Sequence, residues 1–169
     1  MTTEKTRILL CDDHEVVREG LRGLIARQDG MSVVGEAGTV AEVVEAATRT
    51  KPDVVIMDVR LPDGSGVEAC RTIRETRPET KVIMLTSYAD DEALFASIIA
   101  GASGYLLKQT RGQAVVDAVT AVASGRSLLD PDVTGKVRAR DHRHGPGAPA
   151  RAPYRSRPGR EANDQRRRR

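Results

Sequence analysis

The chain has few aromatic residues, few cysteines and no long apolar stretch. Among its 169 residues are three tyrosines, one phenylalanine and no tryptophan, so any core must be aliphatic. No apolar run reaches the roughly 18 residues of a membrane span, and no signal peptide is recognisable, so we expect a cytoplasmic protein. The two cysteines lie in apolar patterns, Cys11 in a strand and Cys70 on a helix stripe, and we expect reduced, buried thiols.

The C-terminal 32 residues lack everything that builds a core. Residues 138–169 contain no Leu, Ile, Val, Met or Phe, and four prolines interrupt them. Eleven arginines against three acidic residues give this tail +8, whereas the whole chain carries +3 and residues 1–137 carry −5. We therefore expect a disordered Arg/Pro-rich tail. Its composition favours a GC-rich gene read out of frame; the alternative is a basic arm that binds DNA nonspecifically through phosphates.

Before the tail, two hydrophobic periods alternate. Five short apolar runs typical of buried strands occur at 7–11, 31–37, 54–57, 81–86 and 104–107. Each is followed by apolar residues at helical spacing. The fourth such helix is expected over 90–100 with Leu94, Phe95, Ile98 and Ile99 inward, and the fifth over 110–124. Five strand–helix units predict an α/β fold, a doubly wound (βα)5 domain with a parallel five-stranded sheet.

Polar residues follow four of these strands, where parallel strands share one rim of the sheet. Asp58 ends the third strand, just before the turn residues Leu61–Gly64. The other strand ends bring Asp12, Asp13, Thr86 and Lys108 to the same rim. Gathered carboxylates repel one another, so a compensating cation is expected, and an oxygen-only site suits Mg²⁺. An aspartate beside Mg²⁺, a lysine and a threonine is equipped to take a phosphoryl group as an aspartyl phosphate.

These residues resemble the receiver domain of two-component response regulators, over about residues 6–126. The motifs that begin at Asp12, Met57, Leu85 and Gly101 are similar to the NarL/FixJ (LuxR-type) subfamily, and within it to the actinobacterial DevR-type regulators. The resemblance implies a flavodoxin/CheY-like fold and phosphorelay signalling from a sensor histidine kinase. It also implies a phosphorylation-dependent homodimer through the fourth helix, fifth strand and fifth helix.

The resemblance further implies a role for each matched residue. Asp58 is the phosphoacceptor. Mg²⁺ is held by Asp12, Asp13, Asp58 and the backbone carbonyl of Arg60. Thr86 and Lys108 bind the phosphoryl group, and Tyr105 is the switch aromatic. Arg60 and Tyr88 flank the approach of water to the phosphorus; neither is a carboxylate or carboxamide, so we expect slow self-dephosphorylation.

Three features depart from the family pattern or compete with it. Gln109 stands where many receivers have a proline, which leaves the geometry of the Lys108–Gln109 peptide open. His14 lies beside the acidic rim, where we expect a surface or supporting role rather than a ligand. Residues 127–137 read as the start of a linker, but residues 138–169 lack the apolar pattern of a helix-turn-helix domain, so we do not expect this chain to read DNA sequence.

An enzyme is the competing interpretation. A phosphatase of the haloacid-dehalogenase type also uses an aspartate nucleophile on a similar sheet. It needs a second aspartate two residues further on, where this chain has Arg60, and a cap domain for which no insertion is long enough. We therefore expect a phosphoacceptor signalling domain rather than an enzyme.

Overall fold

The computed structural model describes residues 4–88 and 90–129. Five strands alternate with five helices, as predicted. In chain order the elements are β1 Thr6–Cys11, α1 Glu15–Ala26, β2 Met31–Ala37, α2 Val40–Thr50, β3 Val54–Asp58, α3 Gly66–Thr76, β4 Lys81–Thr86, α4 Asp91–Ile99, β5 Gly104–Leu107 and α5 Gly112–Ala123. The predicted tail at 138–169, and the predicted linker from residue 130 onward, lie outside the described residues.

The five strands form one parallel sheet in the order β2-β1-β3-β4-β5. The central strand β3 buries all five of its residues, because helices cover both faces of the sheet. Val55 and Met57 pack in a core with residues of α2 and α3, whereas Val54 and Ile56 pack in a second core with residues of α1 and α5. The doubly wound α/β architecture predicted from the sequence is confirmed.

Local sequence signals start three of the helices. The Thr39 hydroxyl accepts the Glu42 N–H at 3.1 Å, the Ser65 hydroxyl accepts the Val67 N–H at 3.1 Å, and an Asp90 carboxylate oxygen accepts the Glu92 N–H at 3.0 Å. Each side chain satisfies a backbone donor that the first helical turn leaves free. These caps explain where α2, α3 and α4 begin, and the observed start of α4 lies one residue from the predicted start at residue 90.

Two predictions about the last helices were wrong. Ile99 does not point inward: it is 49% exposed, and the only buried residue within α4 is Ser97. Helix α5 begins at Gly112 rather than at residue 110, because the Thr110 N–H donates to the Leu107 carbonyl at 3.0 Å in a turn that precedes the helix. A two-strand hairpin, Arg60–Leu61 with Gly64–Ser65, was not predicted at all.

Both cysteines are free and buried, as expected from the sequence. Burial, together with the neighbouring Asp12 and Asp58 carboxylates, raises the pKa of the Cys11 thiol to about 12. Burial likewise raises the pKa of Cys70 to about 12. The thiolates needed for redox or metal chemistry are therefore scarce at neutral pH. No helix within residues 4–88 and 90–129 has the length and apolar character to cross a membrane.

Candidate functional site

The carboxyl ends of three strands bring two carboxylates and one ammonium group into contact. Asp12 follows β1, Asp58 ends β3 and Lys108 follows β5. The Lys108 Nζ lies 2.8 Å from an Asp12 carboxylate oxygen, Oδ2, and 2.9 Å from Asp58 Oδ2. Asp12 is 1% exposed and Asp58 is 5% exposed, so these charges interact with little screening by water. The structure thus places three of the predicted site residues in one ion-paired cluster.

Asp58 is fixed from its backbone as well as from its side chain. Its Oδ1 accepts the Arg60 N–H at 3.2 Å. Its carbonyl oxygen faces the first residue of α3, Gly66, where an added Cβ would lie only 1.9 Å away. The backbone of α3 therefore approaches the end of β3 as closely as a residue without a side chain allows. This contact sets the position of Asp58 relative to the rest of the rim.

The acidic loop after β1 adds further ligand atoms. The His14 N–H donates to Asp12 Oδ1 at 2.8 Å, and His14 Nδ1 lies 3.1 Å from Asp12 Oδ1 and 3.2 Å from Asp13 Oδ1. One ligand atom from each of Asp12, Asp13, His14 and Asp58 falls within 4.8 Å of the others. Three carboxylates at this spacing are an oxygen donor set that suits Mg²⁺. His14 is largely exposed, in keeping with a supporting role beside the rim.

The Lys108 ammonium is held in its charged form. Burial lowers the pKa of Lys108, but the hydrogen bonds to Asp12 and Asp58 raise it by more, so the net pKa lies above the usual lysine value. A fixed positive charge at Asp58 can stabilise a phosphoryl oxygen at the same place.

A cleft of about 180 Å³ opens between Asp58 and solvent. Its walls include Asp13, Arg60, Thr86 and Tyr88 as well as Lys108. The Thr86 hydroxyl donates to the Tyr88 carbonyl at 3.2 Å, which ties the threonine to the loop before α4. Tyr88 itself is largely exposed. The backbone carbonyl of Arg60, predicted as a metal ligand, belongs to a residue that lines this cleft.

Tyr105 does not line the cleft. It lies on β5, half-buried, and packs against the core on the side of α3 and α4. Its hydroxyl is buried and has no hydrogen-bond partner among the described residues. The part of the chain described contains no cis peptide bond, so the Lys108–Gln109 peptide is trans. The Gln109 side-chain amide donates to the Ser87 carbonyl at 3.2 Å and so joins the loops that follow β4 and β5.

Two residues at this site were not predicted. The contact of Gly66 with Asp58 depends on how α3 docks on β3, which the sequence pattern does not reveal. The second is Arg18, whose guanidinium donates to the backbone carbonyl of Asp12. The spacing of Arg18 within α1 does not reveal this contact, since it requires α1 to lie over the ends of β1 and β2.

Comparison with known proteins shows what this chain is similar to. Residues 8–120 match the family model of the response regulator receiver domain. The chain is 48% identical over 124 residues to the DNA-binding transcriptional activator DevR/DosR of Mycobacterium tuberculosis, which covers 73% of this chain and 57% of that protein. It is 42% identical over 137 residues to the uncharacterized transcriptional regulatory protein YxjL of Bacillus subtilis, covering 81% of this chain and 63% of that protein.

Solved structures give the same result. A LuxR-family two-component response regulator from an Aurantimonas species superposes with a TM-score of 0.71 at 35% identity, over 82% of this chain and 99% of that one. The signal receiver domain of a putative NarL response regulator from Mycobacterium tuberculosis superposes with a TM-score of 0.70 at 31% identity, over 73% of this chain and 99% of that one. Both superpositions cover almost all of the solved chain, whereas this chain spans only about three fifths of the length of the two curated relatives.

Proposed function

Since the chain belongs to the response regulator receiver domains of NarL/LuxR type, we propose that Asp58 accepts a phosphoryl group from a sensor histidine kinase. Receiver domains are signalling domains rather than classical enzymes, and response regulators of this family partner with histidine kinases. The observation that carries the proposal is the Asp58 carboxylate, which ends the central strand at a cleft and contacts Lys108 at 2.9 Å.

In the proposed transfer, an Asp58 carboxylate oxygen attacks the phosphorus of the phosphohistidine. The new bond is O–P, the P–N bond breaks, and its electron pair leaves with the imidazole, which takes up a proton. Lys108 is already charged and beside Asp58, so it can pair with the phosphoryl oxygens as they arrive. The Thr86 hydroxyl, at the end of the neighbouring strand, can donate to another of these oxygens once it leaves the Tyr88 carbonyl.

Receiver domains generally depend on Mg²⁺, and the residues present fit it. We propose that Asp12, Asp13, Asp58 and the Arg60 carbonyl hold the ion, because three carboxylates of the cluster lie within 4.8 Å of one another. When bound, Mg²⁺ supplies positive charge that offsets the carboxylates and the incoming phosphoryl group. Lys108 bridges Asp12 and Asp58, so we expect it to give up its contact with Asp12 when the ion is present.

The response of the rest of the molecule is also a proposal. Thr86 moves toward the phosphoryl group, Tyr105 takes up the space that Thr86 leaves, and the face made by α4, β5 and α5 changes. Response regulators often dimerise, and we propose this face for a phosphorylation-dependent homodimer. We propose residues 6–126 as the phosphoaccepting unit and 127–137 as the start of a linker. The Mycobacterium relative is named as a DNA-binding protein. We do not propose DNA binding for residues 6–126.

The phosphoacceptor can be tested by intact-mass measurement after incubation with Mg²⁺ and a small phosphodonor such as acetyl phosphate. The wild-type chain should gain the mass of one phosphoryl group, and Asp58→Asn should gain none. Asp53→Asn is a matched control, because Asp53 precedes the same strand at its opposite end and accepts the Arg7 N–H there. Equal labelling of wild type and Asp58→Asn would overturn the assignment.

A further inference from the structure

Arg18 reaches from helix α1 to the backbone of the acidic loop. Its side chain is 21% exposed, and one guanidinium nitrogen donates to the carbonyl oxygen of Asp12. The Nε of the same guanidinium lies 3.5 Å from an oxygen of Glu36 on β2. Arg18 is therefore clamped between the end of β2 and the peptide that joins Asp12 to Asp13.

The Asp12 and Asp13 carboxylates differ in how they are held. Asp12 is buried, and its carboxylate contacts Lys108 and the backbone N–H of His14. Asp13 is more exposed, at 32% for its side chain, and among the described residues the one polar contact of its carboxylate is with Nδ1 of His14, itself an exposed side chain. The direction of the Asp13 side chain therefore depends mainly on the backbone that carries it.

That backbone is where Arg18 acts. A peptide group is planar, so a hydrogen bond that fixes the Asp12 carbonyl also fixes the orientation of the Asp13 N–H and the start of Asp13. Gly38 lies beside this contact, and a Cβ added there would be in ordinary van der Waals contact with the Arg18 guanidinium, 3.6 Å away, and with the Asp12 carbonyl oxygen, 3.8 Å away.

From this geometry we infer that Arg18 is a positioning residue for the divalent metal site: it holds the Asp12–Asp13 peptide so that the Asp13 carboxylate faces Asp12 and Asp58. The inference rests on the proposed function, because it takes Asp13 to be a metal ligand. It adds a residue outside the ligand set, on a helix that contributes no ligand to the ion.

Arg22 separates this role from a purely structural one. It lies one turn further along α1 and pairs with the same glutamate, its Nε lying 3.3 Å from the second Glu36 oxygen. Both arginines thus tie α1 to β2, but among the contacts of the described residues only Arg18 reaches the Asp12 carbonyl. If tying α1 to β2 were all that mattered, the two arginines would be equivalent.

The direction in which metal affinity changes when Arg18 is removed distinguishes positioning from simple charge repulsion. Arg18 carries a positive charge close to a site for a cation, so by Coulomb repulsion alone its removal should tighten metal binding. Loss of positioning predicts weaker binding instead. Lost contacts to the groups around a metal's ligands commonly weaken affinity by about tenfold or more.

The test is a titration of the full chain with Mn²⁺, in which electron paramagnetic resonance measures the concentration of the free ion. Urea denaturation of each metal-free variant shows whether the substitution changes the stability of the fold. Arg18→Ala should bind Mn²⁺ about tenfold more weakly. Arg22→Ala should bind like wild type, and Arg18→Lys should recover much of the loss, because lysine can still donate to one carbonyl. Arg18→Met, which keeps an unbranched side chain but has no donor and no charge, serves in place of Arg18→Ala if the latter does not fold, and it should show the same loss.

The outcomes separate this inference from the proposed function. If Arg18→Ala binds Mn²⁺ as tightly as wild type or more tightly, or if Arg18→Ala and Arg22→Ala lose affinity equally, Arg18 is not a positioning residue. If Asp13→Asn binds Mn²⁺ like wild type, the proposed metal site itself is wrong, and the role of Arg18 fails with it. Loss in Asp13→Asn without loss in Arg18→Ala overturns the Arg18 inference alone.

Discussion

The central strand β3 and the edge strand β5 end at the same rim but differ in how firmly they are held. All five residues of β3 are buried, and a strand pairs with it on each side. In β5 only Gly104 is buried, Leu107 is 37% exposed, and β4 is the one strand of the described sheet that pairs with it. The phosphoacceptor candidate is thus on the rigid strand, and the switch candidate Tyr105 is on the looser one.

The helices beside these strands differ in the same way. Helix α3, which follows β3, buries Gly66, Val67, Ala69, Cys70 and Ile73. Helix α4, which precedes β5, buries only Ser97, and its apolar and polar residues do not separate cleanly onto two faces. A weakly packed helix can shift at low cost in free energy, whereas a tightly packed one cannot. The difference suits a molecule in which the chemistry needs fixed geometry and the signal needs movement.

Replacing one glycine beside β3 and one on β5 by alanine should give the largest difference in stability between the two strands. At Gly66, beside β3, a Cβ would lie 1.9 Å from the Asp58 carbonyl oxygen, which is backbone and cannot move aside. We expect Gly66→Ala to lower the free energy of unfolding by at least about 3 kcal/mol, the upper end of usual overpacking costs. At Gly104, on β5, the nearest atoms are side chains of Ile83 and Leu128 at 3.4 Å, an ordinary contact. Gly104→Ala should change stability by less than about 1 kcal/mol.

Urea denaturation of both glycine variants measures this contrast. The phosphorylation assay gives a second readout, because Gly66→Ala should also displace Asp58 and slow labelling at temperatures where the variant is still folded. Equal stability of the two variants would show that the end of β3 is no more constrained than β5.

Truncation of one apolar side chain on each strand should give the next largest effect. Ile56 on β3 is 1% exposed, whereas Leu106 on β5 is half-buried, and both pack in the core shared with α1 and α5. We expect Ile56→Ala to cost roughly 3 kcal/mol and Leu106→Ala roughly 1 kcal/mol, because the second leaves a smaller cavity. The measurement is the denaturant concentration at the unfolding midpoint of each variant, compared between variants whose m-values are the same. A loss in Leu106→Ala as large as that in Ile56→Ala would contradict the loose packing of the edge.

The sequence predicted the rigid part better than the loose part. Short apolar runs rich in β-branched residues and bounded by turn residues, such as 54–57, favour a buried strand, and the polar residues that end such parallel strands must then share a rim. In α4 the residues Leu94, Phe95, Ile98 and Ile99 were all expected inward, because an apolar helix gives no polar stripe to mark its exposed side. The structure leaves Ile99 exposed. The sequence pattern therefore predicts burial poorly in a helix such as α4, where few side chains are fully buried.

Some contacts within the site could be predicted from the sequence and others could not. The convergence of Asp12, Asp58 and Lys108 follows from the topology alone, since each residue ends or follows a parallel strand. The contact of Arg18 with the Asp12 carbonyl, and of Gly66 with the Asp58 carbonyl, depends on the angle at which a helix packs on the sheet. Hydrophobic periodicity predicts which face of a helix is buried but does not fix that angle.

The lifetime of the phosphoryl group tests the walls of the cleft between the two regions. Hydrolysis needs a water molecule in line with the phosphorus, and Arg60 and Tyr88 line the cleft that leads to Asp58. Replacement by Asn at 60 and Ala at 88 should shorten the lifetime about tenfold, equivalent to roughly 1.4 kcal/mol of barrier. Intact-mass measurement follows the loss of the phosphoryl group over time in the wild-type chain and in the double variant. Arg71→Asn, at an exposed arginine of α3, is the control. An unchanged or longer lifetime in the double variant would mean that these side chains do not shield the site.

The smallest expected effect is a weak self-association of the edge region. Because α4 and β5 are loosely packed and expose apolar side chains such as Leu107, phosphorylation can reshape this face at low cost, and a second copy can cover it. Sedimentation at micromolar concentrations should give a higher average mass for the phosphorylated chain than for the unphosphorylated one. Leu107→Ser should abolish the increase without affecting phosphorylation. Val16→Ser is the matched control, because Val16 is 79% exposed and apolar but lies on α1, outside this face. Loss of association in Val16→Ser with retention in Leu107→Ser would place the interface on α1 instead and separate the movable edge from dimerisation.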